Sequence, residues 1–492
     1  MKYFSTRDSQ KKSFDSAFVI KKGLAEDGGL FVPDSIPSIT ENEIKELCTK
    51  TYAQRAAFVL SKFLTDYTYS ELLEDCEKAY SESSFPGGAA PLVKVDSNIY
   101  SLELWHGPTA AFKDMALQIM PRLLSRALEK TGEKNTALIL VATSGDTGKA
   151  ALEGYKDIDR VKIMVFYPVD GVSKVQKLQM ATQTGNNVNV CAIKGNFDDA
   201  QTGVKKIFAD DAAKKKLLDN SYILSSANSI NWGRLAPQIV YYISAYCDLL
   251  NSGDISYGET VNVCVPTGNF GNIFAAYIAK KMGLPLNKLV CASNTNNVLT
   301  EFLRTGVYDR NRDFHLTMSP SMDILISSNL ERLLYFTAGP DATAKYMNEL
   351  NTTGRYEITE DIKRLISENF VGYYADEADT AATIRAFYDD KGYLADTHTA
   401  VALNCAEKYM RESDDDKKII VASTASAYKF AADVYKSITN KDASADTGAL
   451  DELSELTDTE IAYPLKNLAD RKINFDKVID SCDMLKEVYS FM

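Results

Sequence analysis

The sequence predicts an α/β protein built on mostly parallel sheets, and three observations carry that prediction. Short apolar runs rich in β-branched residues, at 137–142, 161–166, 188–193, 261–265, 289–292 and 419–422, alternate with stretches of helical period. Several of these runs end in short polar or glycine-bearing loops that lead straight into a helix, the grammar of a crossover unit. At 492 residues the chain also exceeds the roughly 250 to 300 at which one core stops growing, so two or three subdomains are expected.

Composition narrows the function classes. Hydrophobic residues make 45% and charged residues 25% of the chain, an ordinary globular mix that sets aside disordered, collagenous and fibrous proteins. The formal net charge of −12 gives no general field for nucleic acid or anionic membranes, so an anionic ligand must be captured locally. The eight cysteines are scattered without a Cys-x-x-Cys pair, and Cys191, Cys264 and Cys291 fall inside strand-like runs, where a reduced thiol acts as a small hydrophobe. His106, His315 and His398 lie far apart, so no metal site is expected. The start has no apolar core of signal-peptide length, and no run approaches the ~18 apolar residues of a membrane span, so a cytoplasmic protein is expected.

The elements follow in order. Residues 41–64 and 69–80 read as helices and end at the breaker cluster Phe85-Pro86-Gly87-Gly88-Ala89-Ala90-Pro91, a candidate boundary. Lys113 opens a helical stretch with an apolar stripe of Ala116, Ile119, Met120, Leu123, Leu124, Ala127 and Leu128, which Pro121 should kink or restart. Residues 332–393 lack strand-like runs and read as a mostly helical insertion, with 359–370 one helix of it. A polar, acidic linker at 441–448 precedes a tail whose Val478, Cys482, Leu485 and Val488 fit helical spacing.

Three strand-to-helix junctions carry the candidate chemistry. They are Thr143-Ser144-Gly145-Asp146-Thr147-Gly148, Pro266-Thr267-Gly268-Asn269-Phe270-Gly271-Asn272 and Ser423-Thr424-Ala425-Ser426. Ligands of open α/β sheets bind at the carboxyl ends of strands, where free amides of helix N-termini point into the crevice. Gly268 and Gly271 can take positive φ and let backbone N–H groups close on a phosphate, although a plain turn explains one such loop equally well. Neither glycine loop has the Gly-Lys-Ser/Thr of a P-loop, and the lack of Gly-x-Gly-x-x-Gly disfavours a dinucleotide. Lys113 follows Gly107-Pro108-Thr109-Ala110-Ala111-Phe112, with little polar company. Spacing alone leaves it either a solvated helix-start lysine or a desolvated amine of lowered pKa, ready for Schiff-base chemistry.

The segment His106-Gly107-Pro108-Thr109-Ala110-Ala111-Phe112-Lys113-Asp114 resembles the lysine motif of the threonine synthase family, pyridoxal-phosphate enzymes of the tryptophan-synthase-β fold group. Segments 23–33, 143–148, 176–182, 196–201, 228–234, 268–272 and 319–324 are similar to that family as well, in family order across about residues 1–430. The resemblance implies fold type II of the pyridoxal-phosphate enzymes: two open, mostly parallel sheets flanked by helices. Its domains would be an N-terminal, helix-rich one over 1–91, a large cofactor domain over 92–132 and 242–440 with the insertion at 332–393, a small α/β domain over 133–241, and a C-terminal helical tail over 441–492.

It further implies that Lys113 forms the Schiff base with the cofactor aldehyde, that Gly268, Asn269, Phe270, Gly271 and Asn272 cradle the cofactor phosphate, and that the Thr424 hydroxyl meets the pyridine nitrogen. Asp146 stands where many relatives of the fold carry Asn facing the ring oxygen. The implied substrate is O-phospho-L-homoserine, its carboxylate on the loop of Thr143, Ser144 and Asp146, its phosphate held by Thr143, Thr147, Asn228, Ser229 and Arg234. The implied reaction is γ-elimination of phosphate followed by addition of water at Cβ to give L-threonine. The alternatives are a phospho-lyase of the same fold that releases 2-oxobutyrate, and a non-catalytic carrier of the cofactor. The sequence departs from the family at Thr424-Ala425-Ser426-Ala427-Tyr428-Lys429-Phe430, where Thr-Ala-His-Pro-Ala-Lys-Phe is common, and at Thr397, where Pro is common. His106 and His398 read as satisfied structural histidines.

Overall fold

The computed structural model describes residues 1–143, 145–169, 172–444 and 447–492. Strands β1 (Tyr3–Ser5) and β2 (Phe31–Pro33) pair antiparallel within the N-terminal region. The helices that follow, Glu41–Cys48, Tyr52–Phe63 and Tyr69–Ala79, each start on a capping box: Thr40 with Glu43, Thr51 with Gln54, Thr68 with Glu71. Each box satisfies two backbone N–H groups that the first helical turn would leave free.

Next come β3 (Leu92–Lys94), β4 (Ile99–Glu103), β5 (Thr136–Ala142), β6 (Val161–Pro168), β7 (Val188–Lys194), β8 (Tyr222–Ser225), β9 (Val261–Pro266), β10 (Leu286–Ser293), β11 (Val307–Asp309), β12 (Arg355–Glu357), β13 (Phe370–Tyr374), β14 (Ile419–Ser423) and β15 (Val478–Asp480). One sheet has the order β13-β10-β9-β14-β4-β3, the other β15-β7-β6-β5-β8. Every pairing in them is parallel except β3 with β4, which agrees with the α/β class read from the sequence. Parallel strands need both faces covered. Accordingly Leu138, Ile139 and Leu140, three consecutive residues of β5, are all buried, as are Val263, Cys264 and Val265 of β9.

Two elements differ from the sequence reading, and a third, at Pro121, follows it. Residues 332–393 are not purely helical. The helix capped by Thr359 runs Glu360–Ser367, and the aromatic, β-forming Phe-Val-Gly-Tyr-Tyr after it becomes β13, an edge strand of the six-stranded sheet. The tail is not purely helical either: Val478 lies in β15, which adds to the edge of the other sheet beside Ala192, Ile193 and Lys194. Pro121 restarts the helix, which breaks after Leu117 and resumes as Met120–Lys130 with proline in the first turn, where its missing N–H costs nothing. Among the described residues, no helix is long and apolar enough to cross a membrane.

Candidate active site

Sheet order explains why residues far apart in sequence meet. Strands β9, β14 and β4 are adjacent, so the loops leaving their carboxyl ends share one edge: 267–270 after β9, 424–426 after β14, and 104–112 after β4. The last two are stitched together by backbone bonds. Leu104 N donates to Ser423 O (2.9 Å), Phe112 N to Thr424 O (2.8 Å) and Ser426 N to Ala110 O (3.1 Å). Lys113, first residue of its helix, is thereby fixed beside Thr424, while the β5 loop reaches it from the other sheet.

The Lys113 amine lies 3.2 Å from the Ser321 hydroxyl and 3.6 Å from Asp146 Oδ2, with its side chain 12% exposed. Burial holds its pKa below the ordinary lysine value. Asp146 pulls it up, and Lys429 and Arg234 push it further down. The desolvated amine is therefore the reading of Lys113 that the structure favours over the solvated one.

Asp146 opens the helix Asp146–Tyr155 after Gly145, whose φ of +143° suits glycine. Its Oδ1 accepts from Lys429 (2.7 Å) and from the Gln176 amide (2.8 Å). Burial alone would raise the carboxyl, but Lys429 first, then Lys113, hold it well below the usual carboxylate range. Thr143 braces the same loop, its hydroxyl oxygen accepting from Gly145 N and Gly148 N, both at 2.9 Å. Thr147 is half-buried on this loop, and Ser144 lies outside the described residues.

The β9 loop corrects one expectation. Neither Gly268 nor Gly271 takes positive φ; Phe270 does, at +60°. Gly268 is needed instead for close approach, since a Cβ there would lie 2.6 Å from Ser321 O, whereas one at Gly271 would meet nothing nearer than Asn329 Nδ2 at 3.4 Å. The loop is tied down from behind: Ser327 Oγ donates to Gly268 O (2.7 Å), and Asn329 N and Nδ2 donate to Asn269 O (3.1 and 2.9 Å). Helix Gly271–Lys281 starts here without a side-chain cap. Asn272 Oδ1 accepts from Tyr241 (2.7 Å) and Tyr242, and Asn272 Nδ2 is buried with no partner among the described residues. An uncapped, buried helix N-terminus with an orphaned amide donor is built for an anion.

Arg234, 4% exposed, is the third candidate locus. One Nη donates to Ala227 O (2.5 Å), next to the exposed Asn228 and half-buried Ser229, and its Nε has no partner among the described residues. Burial lowers its pKa to about 10, so it remains a cation at neutral pH. Thr424 is 6% exposed at the end of β14. Both histidines are engaged: His106 with Glu103 (2.8 Å) under the stacked Trp105 ring, and His398 with Asp396 (3.0 Å) on one side and the Ser321 N–H (3.1 Å) on the other.

The sequence reading assigned nothing to Lys429, Gln176, Ser321 or Arg332. Gln176 and Ser321 lie inside segments that resemble the family, and Lys429 lies inside the 424–430 segment that departs from it; Arg332 carries no such signal. Arg332 is fully buried. It donates to Phe31 O (3.0 Å) and Ile230 O (2.6 Å) and reaches Asn329, so it fastens the N-terminal region to the support beneath the β9 loop.

Comparison with known proteins places this arrangement. Residues 2–80 match the family described as threonine synthase N terminus, residues 84–425 that of pyridoxal-phosphate dependent enzymes, and residues 399–487 that of threonine synthase, C-terminal. The chain is 41% identical over 443 residues to threonine synthase-like 1 of Homo sapiens, covering 88% of this chain and 58% of that protein. It is 37% identical to threonine synthase of Saccharomyces cerevisiae, with 87% of each covered. The chain thus spans about three fifths of the length of the threonine synthase-like 1 relatives, 58% of the human one. Among solved structures it resembles PLP-bound threonine synthase from Brucella melitensis (TM-score 0.87, 36% identity, 100% of this chain and 98% of that one). It also resembles the yeast enzyme (TM-score 0.89, 33% identity, 99% and 98%).

The site's chemistry fits the cofactor of that family: pyridoxal phosphate needs a desolvated amine for its aldehyde, N–H donors for its phosphate and a hydroxyl near its ring, and Lys113, the uncapped 270–272 turn with Asn272 Nδ2, and Thr424 supply them. With three family matches in register along the chain and a relative 37% identical over 87% of both proteins, the chain belongs to the threonine synthase family of pyridoxal-phosphate-dependent enzymes.

Proposed function

We propose that this protein is a threonine synthase, a cytoplasmic carbon–oxygen lyase that converts O-phospho-L-homoserine and water to L-threonine and phosphate. The observation that carries the reading is the desolvated Lys113 amine set between Asp146 and Ser321, at the meeting point of the three strand-end loops. Pyridoxal phosphate, when bound, supplies an electron sink for carbanionic chemistry at the α and β carbons of an amino acid.

In this reading Lys113 would anchor the cofactor, residues 268–272 would hold its phosphate, Asp146 would serve its ring oxygen and the Thr424 hydroxyl its ring nitrogen. A hydroxyl there holds less positive charge than a carboxylate would stabilise, which tempers electron withdrawal. The released Lys113 amine takes the α-proton and moves a proton at Cβ as the γ-phosphate leaves. Burial, which lowers its pKa from the ordinary lysine value, makes the unprotonated amine, the competent base in both steps, easier to reach. Arg234 suits the substrate phosphate because a buried guanidinium with an unpaired Nε can grip a phosphate through two parallel hydrogen bonds. Asn228 and Ser229 follow directly on Ala227, whose carbonyl fixes Arg234, and in this reading they meet the same anion together with Thr143 and Thr147. Ser144 belongs to the proposed substrate loop by sequence.

A second reading, elimination of phosphate with release of 2-oxobutyrate, draws on the 41% identity to proteins called threonine synthase-like 1. It uses the same residues up to loss of phosphate. Product analysis after incubation with O-phosphohomoserine separates the two: L-threonine with equimolar phosphate is expected, 2-oxobutyrate with phosphate would favour the lyase, and release of no phosphate would refute both.

A further inference from the structure

Asp146 is shared by two lysines. Lys113 approaches Oδ2 at 3.6 Å and Lys429 sits 2.7 Å from Oδ1. Lys429 has 0% of its side chain exposed, and its remaining contact is to Thr109 O at 3.0 Å. A fully buried ammonium is rare and costly unless something requires it there. The two lysines differ in one respect. In the role proposed above, the Lys113 amine must spend part of the cycle without its charge, either bonded to the cofactor or acting as a base. A carboxylate paired with Lys113 alone would lose its counter-cation at those moments, inside a dry pocket.

We propose that Lys429 is a positioning residue: a permanent counter-cation, anchored to Thr109 O, that keeps Asp146 ionised and aimed at Lys113 whatever the state of Lys113. The inference rests on the reading of Lys113 and Asp146 as the cofactor site and names how that site holds its charge. Two features support it. Lys429 hangs from the Ser426–Phe430 turn after β14, and the carbonyl it grips belongs to Thr109 in the loop that delivers Lys113, so the charge is held by the same frame that places the amine. The orientation of the carboxylate is fixed too, since Gln176 also donates to Oδ1 and Oδ2 is left facing Lys113. The ionisable groups around the cluster are Lys113, Lys429 and Arg234 on the cationic side, and Asp114, which senses Lys429 and Glu153, on the anionic side.

The test is a four-protein cycle: wild type, Lys429→Gln, Asp146→Asn and the double variant. Glutamine keeps a donor at position 429 but removes the charge. Two readouts are taken across neutral pH, the unfolding midpoint of the cofactor-free protein and the visible band of the pyridoxal-phosphate-loaded protein. Lys429→Gln should show a pH transition in the visible band of the loaded protein that wild type lacks, because Asp146 there has lost the charge of Lys113 as well and takes up a proton, and cofactor affinity should fall about tenfold or more; the cofactor-free variant, in which Lys113 still faces Asp146, should show a lowered midpoint without a new transition. Adding Asp146→Asn should abolish that transition and return the cofactor-free midpoint toward wild type. Lys429→Gln that fails to fold while the double variant folds is the same result in harsher form. The proposal is overturned if loaded Lys429→Gln shows no new transition, if the transition survives in the double variant, or if the double variant is as damaged as the single one. A wild-type protein whose cofactor borohydride does not fix to Lys113 would instead refute the site reading, and the cofactor-free cycle would still report on the charge pair.

Discussion

Gly271→Ala separates the anion-cradling role of the β9 loop from its role in folding. In the cofactor-free protein the new Cβ meets Asn329 Nδ2 at 3.4 Å and Gln238 Nε2 at 3.6 Å, ordinary contacts, at the first position of a helix whose φ suits any residue. Gly-to-Ala at a compatible site stabilises by about 0.4 to 1 kcal/mol, chiefly by narrowing the unfolded ensemble. The cofactor-free variant should therefore be as stable as wild type or slightly more so. With phosphate on the amides of 270–272, a methyl group on this residue is expected to crowd the approaching anion. Loss of one charge-assisted hydrogen bond, about 1.5 to 3 kcal/mol, corresponds to roughly 10- to 150-fold weaker cofactor binding. Gly268→Ala is the control of opposite sign: its Cβ would lie 2.6 Å from Ser321 O, so the cofactor-free protein should lose about 1 to 3 kcal/mol from overpacking. Denaturant midpoints of both cofactor-free variants and titrations with pyridoxal phosphate supply the four numbers. Wild-type cofactor affinity in Gly271→Ala would remove the turn from the site, and an unaffected Gly268→Ala midpoint would refute the close-approach argument.

Two other substitutions test neighbouring parts of the site. Arg234→Ala should keep the bound-cofactor spectrum while kcat/KM for O-phosphohomoserine falls tenfold or more, and Arg234→Lys should recover only part of it because a point charge lacks the guanidinium fork; loss of the cofactor itself would sink the assignment. Asp114, fully buried, has its carboxyl raised by burial to about 6 from an ordinary 3.8, although it accepts from Thr109 N and Oγ1 and feels Lys429. A raised carboxyl favours the folded state when protonated, so its contribution is whole below about pH 3.8 and fades as pH rises through about 6, a change of about 3 kcal/mol. The stability gap between wild type and Asp114→Ala should narrow across that interval, and a gap constant with pH would count against the raised pKa.

What the sequence made legible was local. A buried parallel strand must be apolar along its whole length, so β5, β6, β7, β9 and β14 announce themselves, and the loops after β5, β9 and β14 stand out because each breaks an apolar run before a helix. Edge strands carry a weaker signal. Strand β13 interrupts buried Phe370, Gly372 and Tyr373 with half-buried Val371 and exposed Tyr374, and β15 is exposed at Val478, so neither shows the apolar run that marks a central strand. Glycine was read correctly as a requirement and wrongly as to cause. Positive φ and close approach leave the same residue in the sequence, and only the position of Ser321 O distinguishes them at Gly268.

The buried cations were illegible for a deeper reason. Long charged side chains are expected at the surface, and burial is tolerated only where a partner waits, so reading Lys429 or Arg332 as buried requires knowing that partner first. Their partners come from distant parts of the chain: Asp146 and Thr109 for Lys429, Phe31 and Ile230 for Arg332. The adjacency that brings them together is set by sheet order, in which β9, β14 and β4 are neighbours although many elements separate them along the chain. A family motif can therefore point to these lysines and arginines, but the physical requirement for their charge exists only once the two sheets have closed on Asp146. That is why the decisive measurement on Lys429 is a cycle with Asp146, since neither residue alone has a charge the fold must answer for.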